Sequence, residues 1–379
     1  MQSLRQKIYV STIIDSFNYG TVMQAVATRD VLSAYGDPVF IDYYRPQWTP
    51  EGYRNLKLSG PGNPILKRLK YFLTRPQWER QRRMFRDFIE RELPLCDAGP
   101  YLHGGEFDSD AVYCVGSDQT WNFEDNEGLD PVYFLVNVPD TCRKIAFSAS
   151  FGRDVLGAEE RDLTKEALSG FDAISVRESS SVALLESMGL RGVALKDPVL
   201  LCNPVLWGNL SNEEPAVGNP YILVYMLNEN QNMIDYARRI AREEGFDIRL
   251  VTFSAKQQAM VPKGFRAEFQ PTPARWLALF RDASYVVTDS FHGTCFSLIF
   301  EHPMTVFDPP KYSVRLTNVL RDFGLGNRRV EVGMEIEDIN THQQIIDWEL
   351  VRADKYRFAH GARRFLDSCF RKGGDYGRW

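Results

Sequence analysis

Short runs of β-branched and aromatic residues alternate along this chain with stretches whose apolar positions recur every three or four residues. Residues 7–14 read as a strand. The loop Asp15-Ser16-Phe17-Asn18-Tyr19-Gly20 follows. Residues 21–35 then place Val22, Ala25, Val26, Val31 and Leu32 at helical spacing before Gly36, a C-cap residue, and 39–43 read as a second strand. Residues 45–95 break this rhythm: Pro, Gly and Asn are frequent up to Pro64, and a helical stretch over 65–93 is expected to be broken near Pro76. Strands are expected at 110–115, 144–149 and 173–177, with a short extended piece at 193–195 and helices at 163–168 and 181–188. Residues 202–219 have the Asn, Pro, Gly and Glu of a linker. A second series follows, with strands at 221–226, 247–252, 285–288 and 304–307, and helices at 233–244, 272–281, 294–300 and 315–323. Residues 345–370 read as one long helix. The pattern predicts an α/β protein of two halves, 1–205 with a helical insertion at 45–95 and 206–344. The terminal segment 345–379 is left to pack across them.

At 379 residues, with 44% hydrophobic and 25% charged positions, the chain can build two full cores. A net charge of −5 argues against a general nucleic-acid binder. No apolar run approaches the length of a membrane span. The opening MQSLRQKIYVSTIID lacks the apolar core and cleavage site of a signal peptide, so a cytoplasmic location is expected. The six cysteines form no C-x-x-C pair and read as reduced thiols. The five histidines show no metal-ligand spacing, so no metal is expected. Charge changes the picture in one place. Residues 51–92 hold eleven Lys or Arg against five Asp or Glu, with an apolar side that includes Leu66, Leu69, Phe72, Phe85 and Phe88. One reading is a basic amphipathic insertion that rests on an anionic membrane surface or grips an anionic acceptor. The simpler one is a solvated helical pair packed on its domain.

The candidate chemistry centres on SYVVTDSFHGTCFSLIF, residues 284–300. A buried strand is expected to end at Thr288, Gly293 to make a tight turn, and a helix to begin at Thr294. Asp289, Ser290, Phe291 and His292 would then lie in the loop at a strand's carboxyl end, where α/β sheets bind ligands. The helix-start N–H groups of Gly293 and Thr294 form a natural anion seat, beside which His292 can donate a proton. The plain alternative is ordinary strand-loop-helix scaffold. No G-x-S-x-G elbow supports a serine hydrolase. In the first half, Asn18 and Gly20 either line a polar ligand site or merely cap and turn the first helix. The loop GSDQTWN, residues 116–122, brings a carboxylate, an amide and an indole, a set suited to a hydroxyl-rich ligand. Arg177 also falls at a strand's carboxyl end.

Taken in order, these pieces resemble the polysaccharide pyruvyl transferase family. The matching segments are Asn18-Tyr19-Gly20 with Gln24-Ala25, GSDQTWN at 116–122, SASFG at 148–152, SVRE at 175–178, DPVLL at 197–201, TDSFHGTCFS at 288–297, and Arg315 with Gly324-Leu325. The resemblance implies two Rossmann-like domains facing across a cleft, as in GT-B glycosyltransferases, with the C-terminal helix returning to the first domain. It also implies transfer of a pyruvyl group from phosphoenolpyruvate to two sugar hydroxyls, giving a cyclic ketal and phosphate, with no cofactor. On that basis His292 is the expected acid, with Asp289 as proton acceptor or orienting group. Arg177, Lys196, Ser290, Gly293, Thr294 and Arg315 are expected to hold the donor. Asn18, Tyr19, Gly20, Gln24, Ser117, Asp118, Gln119 and Trp121 are expected to hold the acceptor, which in such a pathway can be lipid-linked. Some members carry Arg two residues before the motif His, where this chain has Ser290. Two other functions fit the same residues: a GT-B glycosyltransferase using a nucleotide sugar, which needs a base pocket in the second half, and a non-catalytic carbohydrate-binding protein.

Overall fold

Residues 5–216, 218–310 and 313–371 are described by a computed structural model. Seven strands make the first sheet: Lys7–Ser11 (β1), Asp37–Asp42 (β2), Leu95–Asp97 (β3), Val112–Val115 (β4), Arg143–Ala149 (β5), Ala173–Val176 (β6) and Val193–Ala194 (β7). Their order is β3-β2-β1-β4-β5-β6-β7, and every pairing is parallel. The central strand β4, VYCV, is buried at every position, as a parallel strand covered on both faces must be. Strand order reverses beside β1, so the loops after β1 and β4 flank the switch point of a doubly wound sheet.

The second unit repeats the plan. Its strands are Tyr221–Tyr225 (β8), Asp247–Thr252 (β9), Phe265–Phe269 (β10), Tyr285–Thr288 (β11), Met304–Phe307 (β12) and Arg329–Val330 (β13). They run in the order β10-β9-β8-β11-β12-β13, all parallel, with the switch point between β8 and β11. Strands β3, β10 and β13 lie outside the sequence expectation. β3 and β13 are only two or three residues long, and β10 (FRAEF) has no fully buried position, so neither kind carries a clear apolar period.

The compact units are residues 1–202 with 358–379, and 203–357. The expected division at 205/206 and 344/345 therefore differs most at the terminal helix, Trp348–Phe370, whose first part belongs to the second unit. There Lys355 Nζ donates to the Leu298 carbonyl (3.1 Å). At its far end Tyr35 donates to Asp367 (3.0 Å) and stacks on Phe370 with ring centroids 5.0 Å apart.

The insertion holds two helices, Pro50–Leu58 (α2) and Pro64–Glu92 (α3), after the first helix Tyr19–Leu32 (α1). Helix α3 runs through Pro76 without the expected break. Pro76 removes the donor that would reach the Phe72 carbonyl. Both residues lie on the exposed side of the helix, where water can serve that carbonyl instead.

Candidate functional site

In the second unit the chain after β11 differs from expectation in an informative way. The helix starts at Phe291, not Thr294, so His292 sits in its first turn. Ser290 is the N-cap: its Oγ accepts the Gly293 N–H (3.2 Å) and its carbonyl accepts the Thr294 N–H (2.9 Å). The two N–H groups expected to seat an anion are thus already committed to Ser290. Gly293 is needed for close packing rather than for a turn, since a Cβ there would lie 2.5 Å from Thr288 Oγ1 and 3.0 Å from the Tyr225 ring.

Asp289 is held rigidly as an acceptor. It takes the backbone N–H of Leu227 (2.7 Å) and of Asn228 (2.9 Å), and the Asn228 side-chain amide (2.8 Å). These donors come from the loop after β8, so the clasp closes the switch point from both sides. Burial raises the Asp289 pKa, and the Leu227 and Asn228 donors work against that rise. His292 is 6% exposed, with its ring edge-on to Phe291 at 5.2 Å. The Arg315 guanidinium lies 5.8 Å from the centroid of the same Phe291 ring. Asp289, Ser290, His292 and Arg315 are therefore gathered around one helix start, with Phe291 linking the imidazole to the cation.

Pockets among the described residues of this unit include two of note. One, of about 240 Å³, is lined by Asn228, Asp289, Phe307, Asp308, Val330 and Gly333 among others, but by neither His292 nor Arg315. Its acidic side chains suit hydroxyl donors better than an anion. The other, of about 330 Å³, is a slot beyond β8 and β9 with apolar walls of Met226, Ile234, Leu250, Val251, Met260 and Pro262 and with Glu229, Asn230, Gln231, Thr252 and Gln257 as polar points.

The first unit's candidates form one buried network. Arg177, 5% exposed, donates to Asp197 (2.8 Å) and Glu178 (3.2 Å) and pairs with Asp118 at 3.4 Å. Burial works to lower its pKa, but the three carboxylates overcome this and hold it above the ordinary value. Its charge is answered inside the unit, which differs from the expected open cation for phosphate. Asp118 also accepts from Thr21 (3.0 Å) and from the Gln119 N–H (2.9 Å). Glu178 Oε1 accepts from Ser150 (2.9 Å), while its buried Oε2 has no hydrogen-bond partner among the described residues. Ser117 donates to the Ser148 carbonyl (3.0 Å), and Gln24 donates to Thr12 (2.9 Å), which itself donates to the Ser117 carbonyl (2.8 Å). The first unit's segments singled out by resemblance thus meet at the carboxyl end of its sheet.

Several expected acceptor residues have other work. Trp121 is wholly buried in the core and donates to the Tyr133 carbonyl (3.0 Å), so its indole covers no ligand. Tyr19 is likewise buried, against Phe85. Asn18 caps α1 by accepting the Gly20 N–H (2.9 Å). Gln119, partly buried, accepts from Asn122 (2.8 Å). Lys196 lies 4.7 Å from the Phe358 ring centroid. Two polar anchors escaped the sequence reading. Asn228 comes from a loop that carries no motif. Arg45 makes a buried, forked pair with Asp15 (Nε 2.8 Å, Nη2 2.8 Å) and thereby fixes the loop after β1.

Two units of 3-2-1-4-5-6 type, each with polar residues at its switch point, define a class of doubly wound α/β protein. Solved structures with this fold run nearly end to end with the chain. A UDP-GlcNAc 2-epimerase from Methanocaldococcus jannaschii is 12% identical, with a TM-score of 0.53, over 96% of this chain and 99% of the other. The UDP-GlcNAc 2-epimerase from Neisseria meningitidis, bound to UDP-GlcNAc, is 10% identical, with a TM-score of 0.52, over 96% and 98%. At such identity the likeness is one of fold, that of the GT-B enzymes. No curated protein sequence matches significantly. The family model for polysaccharide pyruvyl transferase matches residues 18–310, and the chain belongs to that family. It is accordingly a transferase by family.

Proposed function

We propose that this protein transfers a pyruvyl group from phosphoenolpyruvate to two hydroxyls of a sugar in a surface or exopolysaccharide precursor, such as that of a capsule. The observation that supports the reading is the helix start at residues 289–294, where a clasped carboxylate and an imidazole follow a strand's carboxyl end and a guanidinium lies against the Phe291 ring between them in sequence. His292 protonates the methylene carbon of the enol, and positive charge builds at the neighbouring carbon. A sugar hydroxyl attacks that carbon and its proton passes to a carboxylate. Loss of phosphate then lets the second hydroxyl close the ketal, its proton passing to the departing phosphate. Arg315 meets the donor's negative charge, which Ser290 cannot do in place of an Arg. Asp289, fixed by Leu227 and Asn228, accepts or orients the proton in transit. In the first unit, Asp118 with Gln119 and Glu178 binds the acceptor's hydroxyls, and Arg177 positions those carboxylates. Substrates come from solution or from the inner face of a membrane.

Family membership and fold support this reading; donor and product are what the test must establish. The test is incubation with phosphoenolpyruvate and a panel of sugar acceptors, following phosphate release and acceptor mass. The expected result is acceptor-dependent phosphate and an acceptor heavier by one pyruvyl ketal. Phosphoenolpyruvate left intact with every acceptor overturns it. A second reading, glycosyl transfer from a nucleotide sugar, is favoured by the apolar-walled slot beyond β8 and β9, which has the character of a base pocket. In that case nucleoside diphosphate is released instead.

A further inference from the structure

Helix α3 divides into two halves with opposite environments. In its C-terminal half, Phe85, Phe88 and Ile89 are buried. Phe17 lies against Trp78 and Phe85, with ring centroids 5.6 and 6.0 Å apart. In the N-terminal half, Ile65, Leu66, Leu69, Phe72 and Leu73 are between 54% and 75% exposed. No other helix among the described residues exposes more than two large apolar side chains.

These five residues share a face. At 3.6 residues per turn they span an arc of about 120°, the width of an ordinary buried stripe. The opposite face is the one that packs: Tyr71 and Trp78 meet Tyr53 of α2 (centroids 6.0 and 4.5 Å), and Tyr53 donates to Thr74 (2.8 Å). The helix is therefore anchored along one side and leaves its apolar stripe outward. Leu56 of α2 adds a further exposed apolar side chain.

Charge says what covers the stripe. Residues 52–78 contain six basic residues, Arg54, Lys57, Lys67, Arg68, Lys70 and Arg75, and no acidic one, in a chain whose net charge is −5. On the helical projection Lys70 borders one edge of the stripe and Arg68 the other, while Arg75, at the same edge as Arg68, is paired with Glu79 (2.6 Å). Two copies meeting through this face would set cations against cations. An anionic lipid surface meets both features at once, taking the apolar side chains below the headgroups and the cations among them. We propose that the face of α3 bearing Ile65, Leu66, Leu69, Phe72 and Leu73 docks the protein on an anionic bilayer. The stripe lies on one helix and is far too short to span; among the described residues no helix is long and apolar enough to cross a membrane.

The test is co-sedimentation of the full chain, without substrates, with phosphatidylcholine vesicles with or without phosphatidylglycerol. Binding is expected only with phosphatidylglycerol, and it should weaken as salt is raised. Leu69→Glu with Phe72→Glu, and separately Arg68→Glu with Lys70→Glu, should each cut binding by about tenfold or more. Both pairs are on the surface, so thermal melts should match the wild type. The proposal is overturned if phosphatidylglycerol makes no difference to the wild type, or if both variants bind as it does. It is also overturned if light scattering shows a dimer that Leu69→Glu dissociates while vesicles are not bound. Because no substrate is present, this result and the transfer reaction fail or stand separately.

Discussion

The two units fold to the same strand order yet do different things with the same place. Along the carboxyl end of the first sheet the polar residues are turned on one another: Arg177 is ringed by Asp118, Glu178 and Asp197, and the loop after β1 is tied down by Asp15 and Arg45. At the second unit's switch point one carboxylate is clasped by the loop after β8 and lines a pocket, an imidazole follows in the first helical turn, and a guanidinium lies against the Phe291 ring. A shared topology decides where ligands can bind. How far the side chains there are paired with one another is set separately in each unit, by the residues its own loops supply.

The largest effect that would break this contrast is at Arg177. Arg177→Met leaves three buried carboxylates without their cation, so stability should fall by about 3–5 kcal/mol, read as a lower denaturation midpoint. A variant as stable as the wild type that fails to bind phosphoenolpyruvate would instead make Arg177 a donor ligand and erase the difference between the units. His292→Ala should cost about 10² or more in kcat with an unchanged melt. Near-normal turnover would take the acid out of the second unit. Trp121→Phe should cost about 1–3 kcal/mol, because the buried Tyr133 carbonyl loses its donor, while the acceptor's KM stays as it was. A raised acceptor KM at wild-type stability would return the indole to the binding surface.

The smallest effect concerns pH. Burial places the Asp289 pKa above that of an ordinary carboxylate, so its charge is lost, and activity falls, at a higher pH than the usual value of about 4 as the solution is acidified. The acid limb of the pH–rate profile should therefore lie above that range and vanish in Asp289→Asn. A limb that persists unmoved in Asp289→Asn assigns it to another group.

Much of this could be read along the chain. The strand cores, the place of His292 after a buried strand, and the order of the family's segments all follow from local composition and spacing, because a parallel strand must be apolar on both faces and a helix must show its period. Local pattern also located the basic insertion, but not which of its apolar residues are buried. Phe85 and Phe72 look alike in sequence, and only packing against Phe17 and Tyr19 separates them. In the same way nothing local distinguishes an Arg that waits for phosphate from one closed in by carboxylates 20 and 59 residues away. Nor does it distinguish an indole that covers a sugar from one sunk in a core. Each of these depends on which distant groups arrive within hydrogen-bonding reach. That is settled by the strand order of the sheet, which sets which loops stand side by side, not by the residues on either side.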